Sequence, residues 1–209
     1  VFRSIKDALA DGAVVTDGGS AKASVVEDVK EAVGRMPEWF VPGHPIAGTE
    51  RSGVEASFAD LYRGRRIILT PTAETDAHAV KIVRAMWEAA GAVVDEMDPA
   101  HHDAVLAATS HLPHVLAFTL VDSLARLGDS DEIFRYAAGG FRDFTRIASS
   151  DPVMWRDICL ANGDALLTLI EGYKLELDHI SRAIREHDPE ALYELFRDAK
   201  HTREQLRKL

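Results

Sequence analysis

A chain of 209 residues, 46% hydrophobic and 28% charged, is long enough to bury one large core or two modest ones. Its formal charge of −10 argues against a basic nucleic-acid face and reads as a solubility charge. The single cysteine, Cys159, excludes an intrachain disulfide and fits a reducing cytoplasm, and no apolar run approaches the roughly 20 residues of a membrane helix.

Residues 1 to 98 alternate two periods. Short β-branched or aromatic runs at 13–17, 39–42, 66–70 and 92–95, each bounded by Gly, Pro or Asp, predict buried strands. Between them, Val25, Val29, Ala32 and Val33 predict a helix over 22–33 that stops at Gly34. Val80, Val83, Met86 and Trp87 predict another over 76–90, with Gly91 just past its end. Strands alternating with helices imply a partial, Rossmann-like, mostly parallel sheet.

From Pro99 onward the strand signals vanish, and residues 99–209 are expected to form an all-helical domain. Residues 99–128 read as one long apolar helix kinked at Pro113, and a loop rich in Gly and Arg is expected through about residue 150. Asp151-Pro152 and Asp188-Pro189 both have the form of a helix cap followed by a first-turn proline. Between them Leu166, Ile170, Tyr173, Leu177, Ile180 and Ile184 form a nearly heptad seam, suited to a helical bundle or a dimer interface.

Three polar clusters carry the chemistry. Ligands of open parallel sheets bind beyond the carboxyl ends of the strands, and both Ser20 and His44 are expected there. Gly18 and Gly19 permit a tight turn before Ser20, while Gly43 and Gly48 bracket the turn expected to expose His44. A neutral imidazole can accept a proton near pH 7, and a nearby hydroxyl can orient it. The plain structural alternative is that His44 caps a turn and Ser20 caps a helix. Ser110, His111 and His114 can share one helix face. Metal binding by His101, His102, His111 and His114 is a rival reading, although no known ligand spacing supports it. Arg146 is favoured as a carboxylate clamp and Arg142 as a structural residue.

Taken together, Thr16-Asp17-Gly18-Gly19-Ser20-Ala21-Lys22, the segment from Val41-Pro42-Gly43-His44 to Gly48-Thr49-Glu50, Ser110-His111-Leu112-Pro113-His114 and Gly140-Phe141-Arg142-Asp143-Phe144-Thr145-Arg146 resemble the prephenate/arogenate dehydrogenase family. The resemblance runs in order along essentially the whole chain. It implies an NAD- or NADP-binding domain followed by a helical dimerisation domain, a homodimer, and oxidative decarboxylation of prephenate or arogenate in tyrosine biosynthesis. It implies that His44 is the base and that Ser20 aligns it. Ser20 and Gly19 would meet the cofactor. Arg146 would bind a substrate carboxylate, with His111, His114 and Ser110 lining the pocket and Thr49 and Glu50 supporting it. The Gly-x-Gly-x-x-Gly turn of that family is absent from these residues, so this polypeptide alone is expected to bind the dinucleotide poorly. The alternative is a non-catalytic dimerisation or regulatory fragment of such an enzyme.

Overall fold

The β-branched runs and the amphipathic segments between them form the expected alternation in the computed structural model, which describes residues 1–48 and 53–206. The chain divides into two compact units, Val1–Leu166 and Leu167–Leu209. In the first unit, helix α1 (Phe2–Ile5) sets Phe2 edge-on against Phe40, with ring centroids 4.9 Å apart. Strand β1 (Val15–Thr16) pairs in parallel with β2 (Phe40–Val41), and helix α2 (Ala23–Val33) crosses between them. Gly34 ends α2 at φ 88°, the left-handed conformation in which glycine pays no Cβ penalty.

Strand β3 (Gly43–Ile46) was not anticipated. The turn expected around His44 is instead an edge strand, antiparallel to β4 (Arg66–Leu69), with His44 opposite Ile68. Pro42 has no amide to extend the β1–β2 ladder, so the chain bends there and pairs anew. Pro45 is tolerated because β3 lies at the sheet edge. The remaining pairing is parallel, from β4 to β5 (Val93–Glu96), through helix α3 (Ala77–Ala89). Asp76 caps α3 by accepting the amides of His78 and Ala79.

Val41, Ile67, Leu69, Ala79, Val83 and Ala92 form one core cluster, and Val26, Val29, Met36 and Phe40 form another. Each fully buried Val, Leu, Ile or Phe contributes about 1.5–3 kcal/mol from apolar transfer alone. These clusters fix the sheet edge on which His44 sits.

The helical part begins with α4 (Pro99–Leu106), capped by Asp98 through the amides of Ala100 and His101. The expected kink at Pro113 is absorbed by a π-turn over Ala107–His111, after which α5 (Leu112–Ala125) continues. A widened turn just before Pro113 accommodates the amide that proline lacks. From Pro99 to Ala125 the helix runs 27 residues with mean hydropathy 1.5 over its most apolar stretch. Length and composition alone would thus suffice to cross a membrane, which corrects the expectation from apolar runs. Its buried polar residues His102 and Asp103 instead belong to the candidate site, and His111 is paired with Asn162.

The expected 129–150 loop is mostly helical: α6 (Ser130–Arg135), α7 (Gly139–Thr145) and a 3-10 turn over Arg146–Ser149. Gly139 and Gly140 lower helix propensity but sit in the first turn of α7, where the cost is least. Helix α8 (Pro152–Ala161) starts at Pro152 under the Asp151 cap, which accepts the amides of Val153 and Met154. Helix α9 (Gly163–Arg185) follows.

In the second unit, α9 and α10 (Pro189–Leu206) are joined at His187, whose φ is 53°. Asp188 accepts the amide of Ala191. Tyr173, Leu177 and Ile184 of the seam, with Tyr193 and Phe196 of α10, are exposed within this single chain.

Candidate active site

The site is assembled from two helix starts and one strand. Asp103, on α4, places its carboxylate over the N-terminus of α2. Oδ1 accepts the amide of Lys22 at 2.8 Å and Oδ2 that of Ala23 at 2.9 Å. The same Oδ1 lies 2.8 Å from Nδ1 of His102, whose Nε2 lies 2.9 Å from Nδ1 of His44. A carboxylate, a fully buried imidazole and His44 are therefore joined in one hydrogen-bonded chain.

The position of His44 along β3 is set from its other side. Asp17 accepts the amide of Gly43 at 2.9 Å and that of Gly19 at 2.8 Å, and pairs with Lys22. The fully buried Lys22 ammonium also donates to the Gly43 carbonyl at 2.8 Å. Both polar groups of Gly43 are thus held. A Cβ at that residue would lie 3.2 Å from Leu69 Cδ2 and from Thr16 Oγ1, and 3.3 Å from the Asp17 carbonyl, so a side chain there would have to push these neighbours apart by a few tenths of an ångström.

His44 lines a cavity of about 550 Å³ together with Arg65, Ser110, His114, Arg146 and Trp155. His114 stacks on Trp155 with centroids 3.6 Å apart and an interplanar angle of 19°. Its Nδ1 donates to the Ser110 carbonyl at 2.9 Å, because a carbonyl can only accept. Two guanidiniums, at Arg65 and Arg146, border a space walled by aromatic and aliphatic groups. That combination suits a small anion carrying an apolar ring.

Of the residues singled out in the sequence, His44, Ser110, His114 and Arg146 share this cavity. His111 is not among its lining residues. It is buried, with Nδ1 3.1 Å from the Asn162 amide, and that amide also donates to the Asp103 carbonyl. Ser20 is half-buried on the turn after β1 and makes no hydrogen bond to His44 among the described residues; His102 occupies that role. Gly19 contributes its amide to Asp17. Arg142 is exposed on α7. Thr49 and Glu50 lie outside the described residues.

Roles missed in the sequence are those of His102, weighed there only as a metal ligand, and of Asp103, Asn162, Arg65 and Trp155; Asp17 and Lys22 stood there only within the first motif, with no such role. An adjacent His-Asp pair just past a capped helix start was the one available signal for the first two. Among the described residues no three His, Cys, Asp or Glu side chains are grouped to hold a metal.

Burial dominates the electrostatics. It pushes His44 down to about 3, with smaller Coulombic contributions from His102, Lys22 and His111 in the same direction and one from Asp103 opposed. His111 is pushed down to about 4, again first by burial. Burial also lowers His114, partly offset by its bond to Ser110. For Asp103 burial acts upward, yet the hydrogen bonds from His102, Ala23 and Lys22 outweigh it and hold the carboxyl below its usual range.

These shifts set an acid limit on the fold. The unfolded chain protonates His44 and His111 near 6.5, whereas the folded chain resists until about 3 and 4. Stability present above pH 6.5 is therefore lost as pH falls toward those folded values. Each group contributes a slope of at most about 1.4 kcal/mol per pH unit in that window. Urea unfolding at stepped pH is expected to show this decline between 6.5 and 4, and a flat profile there would contradict the buried neutral rings.

A parallel-containing α/β domain followed by helices, with a hydrogen-bonded imidazole at an anion-suited cavity, is the build of a small-molecule dehydrogenase. Residues 1–96 match the prephenate dehydrogenase nucleotide-binding domain, and residues 98–198 match the prephenate dehydrogenase dimerization domain. The chain belongs to the prephenate dehydrogenase family.

Among its relatives, the cyclohexadienyl dehydrogenase of Zymomonas mobilis is 38% identical over 206 residues, covering 97% of this chain and 69% of that protein. The prephenate dehydrogenase of Bacillus subtilis is 39% identical over 197 residues, covering 92% of this chain but 52% of that protein. The crystal structure of prephenate dehydrogenase from Aquifex aeolicus, in complex with hydroxyphenyl propionate and NAD+, superposes with a TM-score of 0.89 at 44% identity. That match covers 98% of this chain and 71% of the other.

Proposed function

We propose that this chain carries the base and the substrate cavity of an NAD(P)-dependent dehydrogenase that oxidises and decarboxylates prephenate or arogenate, a step of tyrosine biosynthesis. The observation that carries the reading is the His44 ring, held by His102 and Asp103, at a cavity shared with His114 and Arg146. His44 accepts the proton of the ring hydroxyl as hydride departs from the same carbon. Loss of carbon dioxide then makes the ring aromatic, which drives the reaction. A base held neutral this far below 6.5 is weak, but an anionic guest in place of water raises its affinity for the proton, and Asp103 balances the charge it gains.

When bound, the nicotinamide supplies the hydride acceptor. Gly19 and Ser20, on the turn after β1, are the residues here that would meet it. The dinucleotide's phosphates do not fit at the start of α2, since Asp103 already takes the amides of Lys22 and Ala23 there. Arg146 holds a substrate carboxylate, and His114 on Trp155 walls the ring. The uncovered apolar faces of α9 and α10 favour a homodimer built through the helical domain, and a cytoplasmic location accords with this chemistry.

The test is prephenate-dependent reduction of NAD or NADP with release of carbon dioxide. Arg146→Ala is expected to raise KM about 10- to 100-fold, the loss of a charge-assisted hydrogen bond pair, with a smaller effect on kcat. An unchanged KM would remove Arg146 from the carboxylate site. A tight dimer that never reduces the dinucleotide would favour the non-catalytic alternative.

A further inference from the structure

We propose that Asp103 and His102 are positioning residues that fix the tautomer of His44, so that its Nε2 carries the lone pair offered to the substrate; the catalytic half of this inference rests on the functional reading above. With His102 neutral, the geometry sets the direction of every proton in the chain. Asp103 Oδ1 already accepts the Lys22 amide, and an ionised carboxylate has no proton to give. The 2.8 Å contact with His102 Nδ1 must therefore be a donation from the ring. A neutral His102 then has only an acceptor left at Nε2. The 2.9 Å contact to His44 is satisfied only if Nδ1 of His44 donates. The proton on Nδ1 leaves Nε2 as the basic atom.

The anchor is rigid. Asp103 is tied to two amides at the start of α2, and its carbonyl accepts from Asn162. His102 is fully buried, with its amide bonded to the Asp98 carbonyl at 2.8 Å. The groups facing His44 electrostatically are His102, Lys22, His111 and Asp103. Of these, His102 is the one hydrogen-bonded to its ring among the described residues. An imidazole freed of such a partner can exchange tautomers and rotate, spending part of its time with a proton on the atom that must receive one.

The experiment compares the full chain with His102→Leu and His102→Gln, reading the His44 ring nitrogens by NMR and the kinetics with prephenate. Glutamine can donate to Asp103 and accept from His44, whereas leucine can do neither. The wild-type spectrum is expected to show a proton on Nδ1 of His44 and a bare Nε2. His102→Leu is expected to shift protonation toward Nε2 and lower kcat on the order of 10²-fold at nearly constant KM, while His102→Gln restores the wild-type tautomer and most of kcat. A wild-type His44 protonated on Nε2, or a leucine variant with unchanged tautomer and kcat, overturns the proposal. A wild-type chain with no prephenate oxidation even at saturating NAD or NADP would overturn the functional reading instead, and the tautomer measurement would still decide the relay.

Discussion

Replacing His44 by asparagine lowers kcat with prephenate by about 10²- to 10⁴-fold, the range that a positioned general base contributes. Asparagine keeps an amide that can donate toward His102, so the buried chain to Asp103 need not be left unpaired. The side chain cannot take the hydroxyl proton. Turnover should therefore fall while substrate affinity and the far-ultraviolet circular dichroism spectrum stay close to those of the parent. Steady-state kinetics over a range of prephenate concentrations separates the two parameters. Activity within threefold of the parent would remove His44 from the proton transfer.

The second large effect falls on stability. Asp17→Ala strips the fully buried Lys22 ammonium of its carboxylate and leaves it the Gly43 carbonyl. Breaking a buried pair from one side costs about 3–5 kcal/mol, because the remaining charge is neither hydrated nor balanced. The double variant Asp17→Ala/Lys22→Met removes that charge and should recover part of the loss. Urea unfolding of the three proteins at one pH gives both numbers. A cost below about 1 kcal/mol for the single variant would mean that water reaches Lys22 and that the clamp on Gly43 is weak. Because Gly43 precedes His44, the same substitution should also reduce turnover, through misplacement of the ring.

What could be read without coordinates was local. The β-branched runs flanked by Gly and Pro became strands β1, β2, β4 and β5. Gly34 ended α2 at positive φ, and Asp151 and Asp188 capped helices just before their prolines, as their spacing indicated. These features depend on neighbours a few residues apart. His44, His114 and Arg146 stood out because polar residues beside glycine or proline, inside apolar stretches, need a reason to be there.

What escaped was non-local or disguised. Strand β3 hid between Pro42 and Pro45, which lower strand propensity but fit a sheet edge. The helical stretch over 129–150 was masked by Gly128, Gly139 and Gly140. His102 and Asp103 lie 58 and 81 positions from the atoms they bond, and nothing in their own segment marks those partners. Ser20 was expected to hold His44, yet a histidine from another helix does so. A strand-end hydroxyl and a buried imidazole look equally able to orient a ring until the packing is known.

The central claim is that His44, His114 and Arg146 act on one anionic ring-bearing guest. Titrating the protein with hydroxyphenylpropionate while following the imidazole resonances of His44 and His114 tests it most directly. Both rings should shift together along one saturable curve, and that curve should weaken at least about tenfold in Arg146→Ala. Saturation that leaves either ring unmoved, or that ignores the arginine, would contradict the account.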